Sequence, residues 1–394
     1  MGIPNHKFDI IYSLVYHIFM QFIRTQKIET AIAPKRALVI YGPRRVGKTT
    51  LLKEYLSTQK NHSTLYVVGD DFRIRELFKK ETLNELLDFA RPYDIIAIDE
   101  AQQVPSIGIC AKMIIDAFPE KQLILTGSSS FDLSAKIGEP LTGRHFTLTM
   151  LPLAQSEISG SHFELNGTLG NFLIYGSYPE VLSTESKSEK ERILNELVSS
   201  YLYKDILALD KIKSPDLLRD IARAVAFQIG NEVSLNEIAT IVRADVKTVG
   251  RYMDVLEKMF VIKKVRGFSR NLRNEISKKA KYYFLDNGVR NAVIGQFGDL
   301  SSRNDIGGLW ENFIFMELYK KSTIAGVSDQ YYFWRTHTGK EVDIIHEFDG
   351  KLTAIECKWS AEANVPALWR ETYPSSEFVT INKENYLKIL FSFE

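Results

Sequence analysis

Between residues 37 and 152 short apolar runs alternate with stretches of helical spacing: ALVIYG, TTLLKEYL, TLYVVG, LNELLDFA, DIIAIDE, KMIIDAF and QLILTGS follow one another. Strand-like runs separated by helix-length segments need crossover connections, which predicts an α/β domain built on a mostly parallel sheet with helices on both faces. Residues 153–214 change character. A Gly/Ser-dotted segment, GSHFELNGTLGNFLIYGSYPEVL, leads into the charged run KSEKER and a periodic helix through Leu202, together a helical connector. From 215 to about 268 two or three helices precede a β-like pair, and from 307 onward a helix, two or three strands and a mixed segment follow. The expected domains are therefore 1–36, 37–152, 153–214, 215–300 and 301–394.

The first of these carries FDIIYSLVYHIFMQFI at residues 8–23. Asp9, Ser13, His17 and Gln21 recur every four residues and draw a polar stripe down a helix, and the run is short for a bilayer. It reads as an amphipathic packing or docking helix, with no membrane span expected. Composition agrees: 45% apolar and 25% charged residues are ordinary for a folded soluble chain, and 394 residues exceed one core. Net charge is only +1, so any grip on nucleic acid or an anionic membrane must come from local patches. Cys110 and Cys357 lie far apart with no secretory signal, which fits a reducing, cytoplasmic location.

Gly42, Pro43, Arg44, Arg45, Val46, Gly47, Lys48 and Thr49, followed by Thr50, satisfy G-x-x-x-x-G-K-[ST] between an apolar strand and a helix. In that context the glycines let backbone N–H groups curl round phosphates, Lys48 meets the β and γ oxygens, and Thr49 offers its hydroxyl to Mg²⁺. ATP and magnesium are thus the expected cofactors. IIAIDE ends in two carboxylates: Asp99 to hold the magnesium, Glu100 to polarise the attacking water. QLILTGSSS ends in hydroxyls at Thr126, Ser128, Ser129 and Ser130, of which Ser128 or Ser129 is suited to touch the γ-phosphate. Arg144, in LTGRHF, reads either as a surface arginine or as one reaching a phosphate in its own or a neighbouring subunit, the latter implying a homo-oligomer.

Residues 234–265 read as helix, turn, helix and strand, a winged-helix pattern. Ser234 is a candidate N-cap with Glu237 three residues on. The second helix is expected to present Lys247, Thr248, Arg251 and Tyr252 outward. Downstream, Lys263, Lys264, Arg266, Arg270, Arg273, Lys278, Lys279 and Lys281 face one acid, Glu275. Such a run suits phosphate contacts with DNA. Protein docking or a solvated loop are the alternatives.

Farther on, a helix carries Glu311, one strand carries Asp343 in GKEVDIIHEF, and another carries Glu356 and Lys358 in LTAIECKWS. Residues two apart on a strand share a face, and a hairpin would bring Asp343 beside them. This matches the PD-(D/E)xK pattern, in which acids hold magnesium and the lysine steadies a water or the charge on a scissile phosphate. A half-exposed sheet edge with a salt bridge gives the same letters.

GPRRVGKTTLL, IDEAQQVP, LTGSSS, LTGRHFTLTMLPLAQSE, GSYPEVL, YLYKDI, KYYFLDNGVRN, LWENFIFMEL, EVDIIHEF and IECKWS, in that order, resemble AAA-fold P-loop ATPases of bacteria and archaea whose C-terminal half is a domain of unknown function with a nuclease-like core. The resemblance implies an AAA-like parallel sheet and a C-terminal restriction-endonuclease-like part, with the winged-helix pattern of residues 234–265 between them. Two functions follow as expectations: an ATP-powered machine acting on DNA, or a nucleotide-gated signalling or scaffold protein with a silent nuclease-like part.

Overall fold

The structure, a computed structural model, describes residues 22–128, 138, 140–200, 214–269, 279–336 and 338–392. Most of the expected N-terminal amphipathic helix lies outside these residues. No described helix is long and apolar enough to cross a membrane. The chain divides into two compact units, one of residues 24–151 with 258–260, the other of 152–257 and 261–394 with the N-terminal segment through Ile23.

In the first unit five strands, β1 (Ala37–Tyr41), β2 (Thr64–Val68), β3 (Ile95–Asp99), β4 (Gln122–Gly127) and β5 (His145–Thr149), form a sheet in the order β2-β3-β4-β1-β5. Every neighbouring pair is parallel, as the alternating pattern demands. Helices α1 (Ile28–Ala31), α2 (Lys48–Thr58), α3 (Phe72–Lys79), α4 (Leu83–Ala90) and α5 (Ile107–Ala117) supply the crossovers and flanks. All five residues of β1 and of β3 are buried, which is why they read as unbroken apolar runs rather than alternating ones. On one face Val39, Ile96, Ile98 and Leu125 pack with Phe78, Leu86, Ile107 and Ile114 of the helices. Each such side chain removed from water contributes about 1.5–3 kcal/mol. Cys110 belongs to this core and Cys357 is buried in the second unit, both as free thiols.

The second unit runs through α6 (His162–Tyr175), α7 (Pro179–Leu182), α8 (Lys187–Leu197), α9 (Pro215–Phe227), β6 (Glu232–Ser234), α10 (Leu235–Val242), α11 (Val246–Lys258), β7 (Ile262–Gly267), β8 (Lys279–Phe284), α12 (Asn287–Ile294), α13 (Ile306–Ala325), β9 (Gln330–Arg335), β10 (Glu341–Phe348), β11 (Lys351–Cys357), α14 (Ala367–Thr372), β12 (Glu377–Ile381) and α15 (Tyr386–Ser392). Its seven strands make one sheet, β12-β11-β10-β9-β7-β8-β6. The segments 215–300 and 301–394 are joined there by the parallel pairing of β7 with β9, where Arg266 faces Tyr332 and Gly267 faces Phe333. The boundary expected at residue 300 thus falls inside one compact unit.

The segment expected as a connector is built into the same unit. Gly176, at φ +75°, lies so close to Asp286 that a Cβ would overlap its carboxylate, which accepts the Ser177 N–H at 2.7 Å. Lys320 of α13 donates to Leu153 O and Ser177 Oγ, both at 2.9 Å, and pairs with Glu317 at 2.9 Å. Helix α13 is buried along most of its length, polar residues included. There Asn312 accepts from Phe284 N at 2.7 Å and donates to Phe284 O at 2.9 Å and to Asn287 Oδ1 at 2.8 Å, pinning β8 to the helix with no unsatisfied amide atom.

Ser234 stands at the N-cap of α10 as expected, without a side-chain capping bond, and is also a β6 residue paired with Lys279; the expectation for Tyr252 fails. Tyr252 points inward, 2% exposed, with its hydroxyl accepting from Ser214 N at 3.2 Å, whereas Lys247 and Arg251 are exposed. The helical spacing puts Val249, Tyr252, Met253 and Leu256 on the buried stripe of α11.

Candidate functional site

Parallel strands bring their C-terminal ends to one edge of the sheet, so the turns after β1, β3 and β4 converge. After β1 the chain passes through Gly42, whose φ of +153° and contact with the Met150 carbonyl oxygen leave no room for a Cβ. Arg45 and Gly47 also have positive φ, 62° and 98°, and the helix α2 starts at Lys48. The loop therefore closes tightly on a helix N-terminus, where backbone N–H groups are unpaired and favour an anion. Lys48, 5% exposed, folds back to donate to Gly42 O at 2.8 Å and Pro43 O at 2.7 Å. The Arg24 guanidinium donates to the carbonyl of Val46 and fastens the loop from outside. Arg44 is half-buried, and Arg45 and Thr50 are exposed.

The carboxylate of Asp99 is the hub of the site. Its Oδ2 accepts from Thr49 Oγ1 at 2.7 Å and from the Tyr66 hydroxyl at 2.9 Å, and Thr126 Oγ1 donates to Oδ1. Glu100 follows in the left-handed region at φ 51°, held there by its N–H on Asp99 Oδ1 (3.1 Å) and Thr126 Oγ1 (3.2 Å). A non-glycine residue in that conformation carries backbone strain, which persists where surrounding bonds over-determine it. The Gln102 amide donates to the Glu100 carboxylate and, at 3.1 Å, to Ser128 Oγ. Ser128 is buried, and Ser129 and Ser130 lie outside the described residues.

Burial pushes the Lys48 ammonium down to about 8; the nearby Glu100 and Asp99 carboxylates oppose the shift, and Arg44 adds to it. Burial, then the Asp99 carboxylate, push the Tyr66 hydroxyl above its ordinary range, so it remains a donor to Asp99. The residues fit a magnesium nucleotide. A hard cation takes one hydroxyl and one carboxylate oxygen, here Thr49 and Asp99 already adjacent, and completes its shell with waters and phosphate oxygens. The sequence had marked Lys48, Thr49, Asp99, Glu100 and Ser128; Tyr66 and Arg24 carry no motif, and Gln102, though within IDEAQQVP, was not singled out.

Arg144 is not part of this edge in its own chain. It precedes β5, whose His145 faces Ala37 at the start of β1, and its carbonyl accepts the Ala37 N–H at 2.8 Å. That is the far end of the sheet from the phosphate loop, about 16 Å away at ~3.3 Å per strand residue. Its side chain pairs with Asp116 at 2.8 Å.

In the second unit Glu311 (α13), Asp343 (β10) and Glu356 (β11) are all buried. Ile344 faces Ile355 in the β10–β11 hairpin, and the Cys357 N–H donates to Asp343 Oδ2 at 2.9 Å, so the expected neighbourhood of Asp343 and Glu356 forms. The cation in it is Lys281 of β8. Its Nζ lies 2.8 Å from Glu311 Oε1 and 3.7 Å from Asp343 Oδ1, with the side chain 3% exposed. The Tyr283 hydroxyl donates to the same Glu311 oxygen at 2.7 Å, and Lys358 pairs with Glu356 Oε1 at 2.6 Å. Burial alone would push the Lys281 ammonium down; Glu311 and Asp343 reverse it, and the group is held charged. Among the described residues no three His, Cys, Asp or Glu side chains converge to hold a metal ion. Lys281 was expected in a basic run that contacts phosphates or is solvated and is instead buried; Arg270, Arg273, Glu275 and Lys278 of that run lie outside the described residues.

These features define a class. Residues 34–159 match the AAA domain family and form its P-loop ATPase type of domain. Residues 166–300 and 306–371 match two domains of unknown function, DUF8612 and DUF4143. Along most of its length the chain is similar to uncharacterized proteins. One from Haemophilus influenzae is 24% identical, covering 90% of this chain and 88% of that one. One from Methanocaldococcus jannaschii is 25% identical over 86% of this chain and 78% of that one. Among solved structures, AMPPCP-bound DnaA from Aquifex aeolicus is 20% identical and covers 65% of this chain and 89% of that chain, with a TM-score of 0.30.

Proposed function

We propose that this chain is a magnesium-dependent ATPase whose nucleotide state is coupled to an activity on DNA. The observation that carries the reading is the hydrogen bond of Thr49 to Asp99 at 2.7 Å beside a buried Lys48, the pair of magnesium-side groups and the phosphate-side cation of one site. Lys48 would exchange the carbonyls of Gly42 and Pro43 for β and γ phosphate oxygens. Thr49 and Asp99 would hold magnesium, which when bound neutralises charge building on the phosphates. Glu100 would orient and polarise the attacking water, with Gln102 fixing its carboxylate and Ser128 standing beside that amide. A contribution of Arg144 belongs to a neighbouring subunit of a homo-oligomer, after release from Asp116.

The DNA part of the proposal rests on the second unit. The order α9, β6, α10, α11, β7, β8, with β6 pairing antiparallel to β8, supports a winged-helix reading, and exposed Lys247 and Arg251 on α11 supply phosphate donors. A turnover assay with and without DNA, on the native chain, Lys48→Ala and Lys358→Ala, tests it. Stimulation that falls steeply with salt is expected; hydrolysis indifferent to every DNA and RNA tried would refute the DNA part.

A second reading, a nucleotide-gated signalling or scaffold protein with a silent nuclease-like part, is favoured by the pairing of Lys281 with Glu311. Nuclease activity that vanishes in Lys358→Ala would exclude it.

A further inference from the structure

The PD-(D/E)xK arrangement of Glu311, Asp343, Glu356 and Lys358 implies a magnesium ion, and the side chains as they stand do not fit one. Magnesium asks for near-octahedral oxygens at about 2.0–2.1 Å and keeps several waters. Here Glu311 Oε1 already accepts from both Lys281 Nζ (2.8 Å) and the Tyr283 hydroxyl (2.7 Å). Asp343 Oδ2 is taken by the Cys357 N–H at 2.9 Å, and its Oδ1 lies 3.7 Å from Lys281 Nζ. Glu356 Oε1 accepts from Lys358 at 2.6 Å, while its Oε2 is buried without a hydrogen-bond partner among the described residues. A divalent ion bridging Glu311 and Asp343 would share their oxygens with an ammonium in a dry pocket, where like charges repel strongly.

We propose that Lys281 is the resident cation of this cluster: its ammonium takes the position between Glu311 and Asp343 that a divalent ion would need, and the site takes no metal while Lys281 is present. The three carboxylates, carrying three negative charges when ionised, then face the two positive charges of Lys281 and Lys358. The lysine reaches the acids only because β8 belongs to the same sheet as β10 and β11, through β7 and β9. Continuity of that sheet across the segments 215–300 and 301–394 is what closes the site. An ammonium on a long stem, unlike a bound ion, cannot be removed by chelation, so the cluster is a fixed structural charge lock.

The inference is independent of the nucleotide reading and is tested with Mn²⁺ alone, without nucleotide, by electron paramagnetic resonance titration of the full-length chain. Asp343→Asn serves as the baseline, so that any weak binding at Asp99 cancels in the comparison. The native chain is expected to match that baseline. Lys281→Ala, with folding verified by a circular-dichroism spectrum and a cooperative urea transition like those of the native chain, is expected to gain one Mn²⁺ site per chain with at least tenfold higher affinity than the baseline. That site should disappear in Lys281→Ala combined with Asp343→Asn. A Mn²⁺ site in the native chain that Asp343→Asn abolishes overturns the proposal, and so does a folded Lys281→Ala that gains none. If Lys281→Ala does not fold, the native chain against Asp343→Asn still decides.

Discussion

On the proposed reading phosphate binding turns on Lys48, and the burial of that residue would give binding a pH dependence. In the empty protein burial pushes its ammonium down to about 8, whereas a bound triphosphate keeps it charged. Above about pH 8 the free protein loses that proton and must take it up again to bind. ATP affinity is expected to fall by up to tenfold per pH unit there, with proton uptake visible as a buffer-dependent binding enthalpy; a flat affinity between pH 7 and 10 would contradict the assignment (~1.4 kcal/mol per pKa unit). On the proposed reading Gln102 would be a positioning residue, its amide spanning Glu100 and Ser128. Gln102→Ala should lower kcat by roughly tenfold to a hundredfold, the scale of disturbing a general base, while KM for ATP stays within about twofold; a change confined to KM would remove it from that role. The legible residues of the site were those inside a local motif. The contacts of Tyr66 with Asp99, Gln102 with Ser128 and Lys281 with Glu311 join residues far apart in sequence, and one sequence holds no trace of those contacts.

At the scale of elements, a strand buried on both faces announces itself by composition, so β1, β3 and β4 and the parallel order around them were readable from ALVIYG, DIIAIDE and QLILTGS. The seven-stranded sheet was not. Its joining pair, β7 with β9, links strands from segments with different patterns, and pairing partners leave no periodic mark. Tyr252 was misread for a related reason, since an amphipathic tyrosine suits either face until the packing partner is known. Asn312 is the residue that ties α13 to β8. Asn312→Ala strands the N–H and C=O of Phe284 in the interior, at a cost of about 1–3 kcal/mol for each unpaired group. Urea denaturation should show a loss of about 3 kcal/mol or more; a loss under about 1 kcal/mol would mean that those groups find other partners.

For the whole molecule, a near-neutral chain that acts on DNA must do so through particular faces rather than a general field. The exposed Lys247 and Arg251 would supply such a face, whereas Lys281 is withdrawn into the acid cluster. On the proposed reading such action would be driven from the phosphate loop, where Gly42, Lys48, Thr49 and Asp99 meet at one edge of the first sheet. Titration calorimetry of the purified chain with ATP and magnesium tests this most directly. The expected result is one binding site per chain, lost in Lys48→Ala. No heat of binding at millimolar ATP, or equal binding by Lys48→Ala, would contradict it.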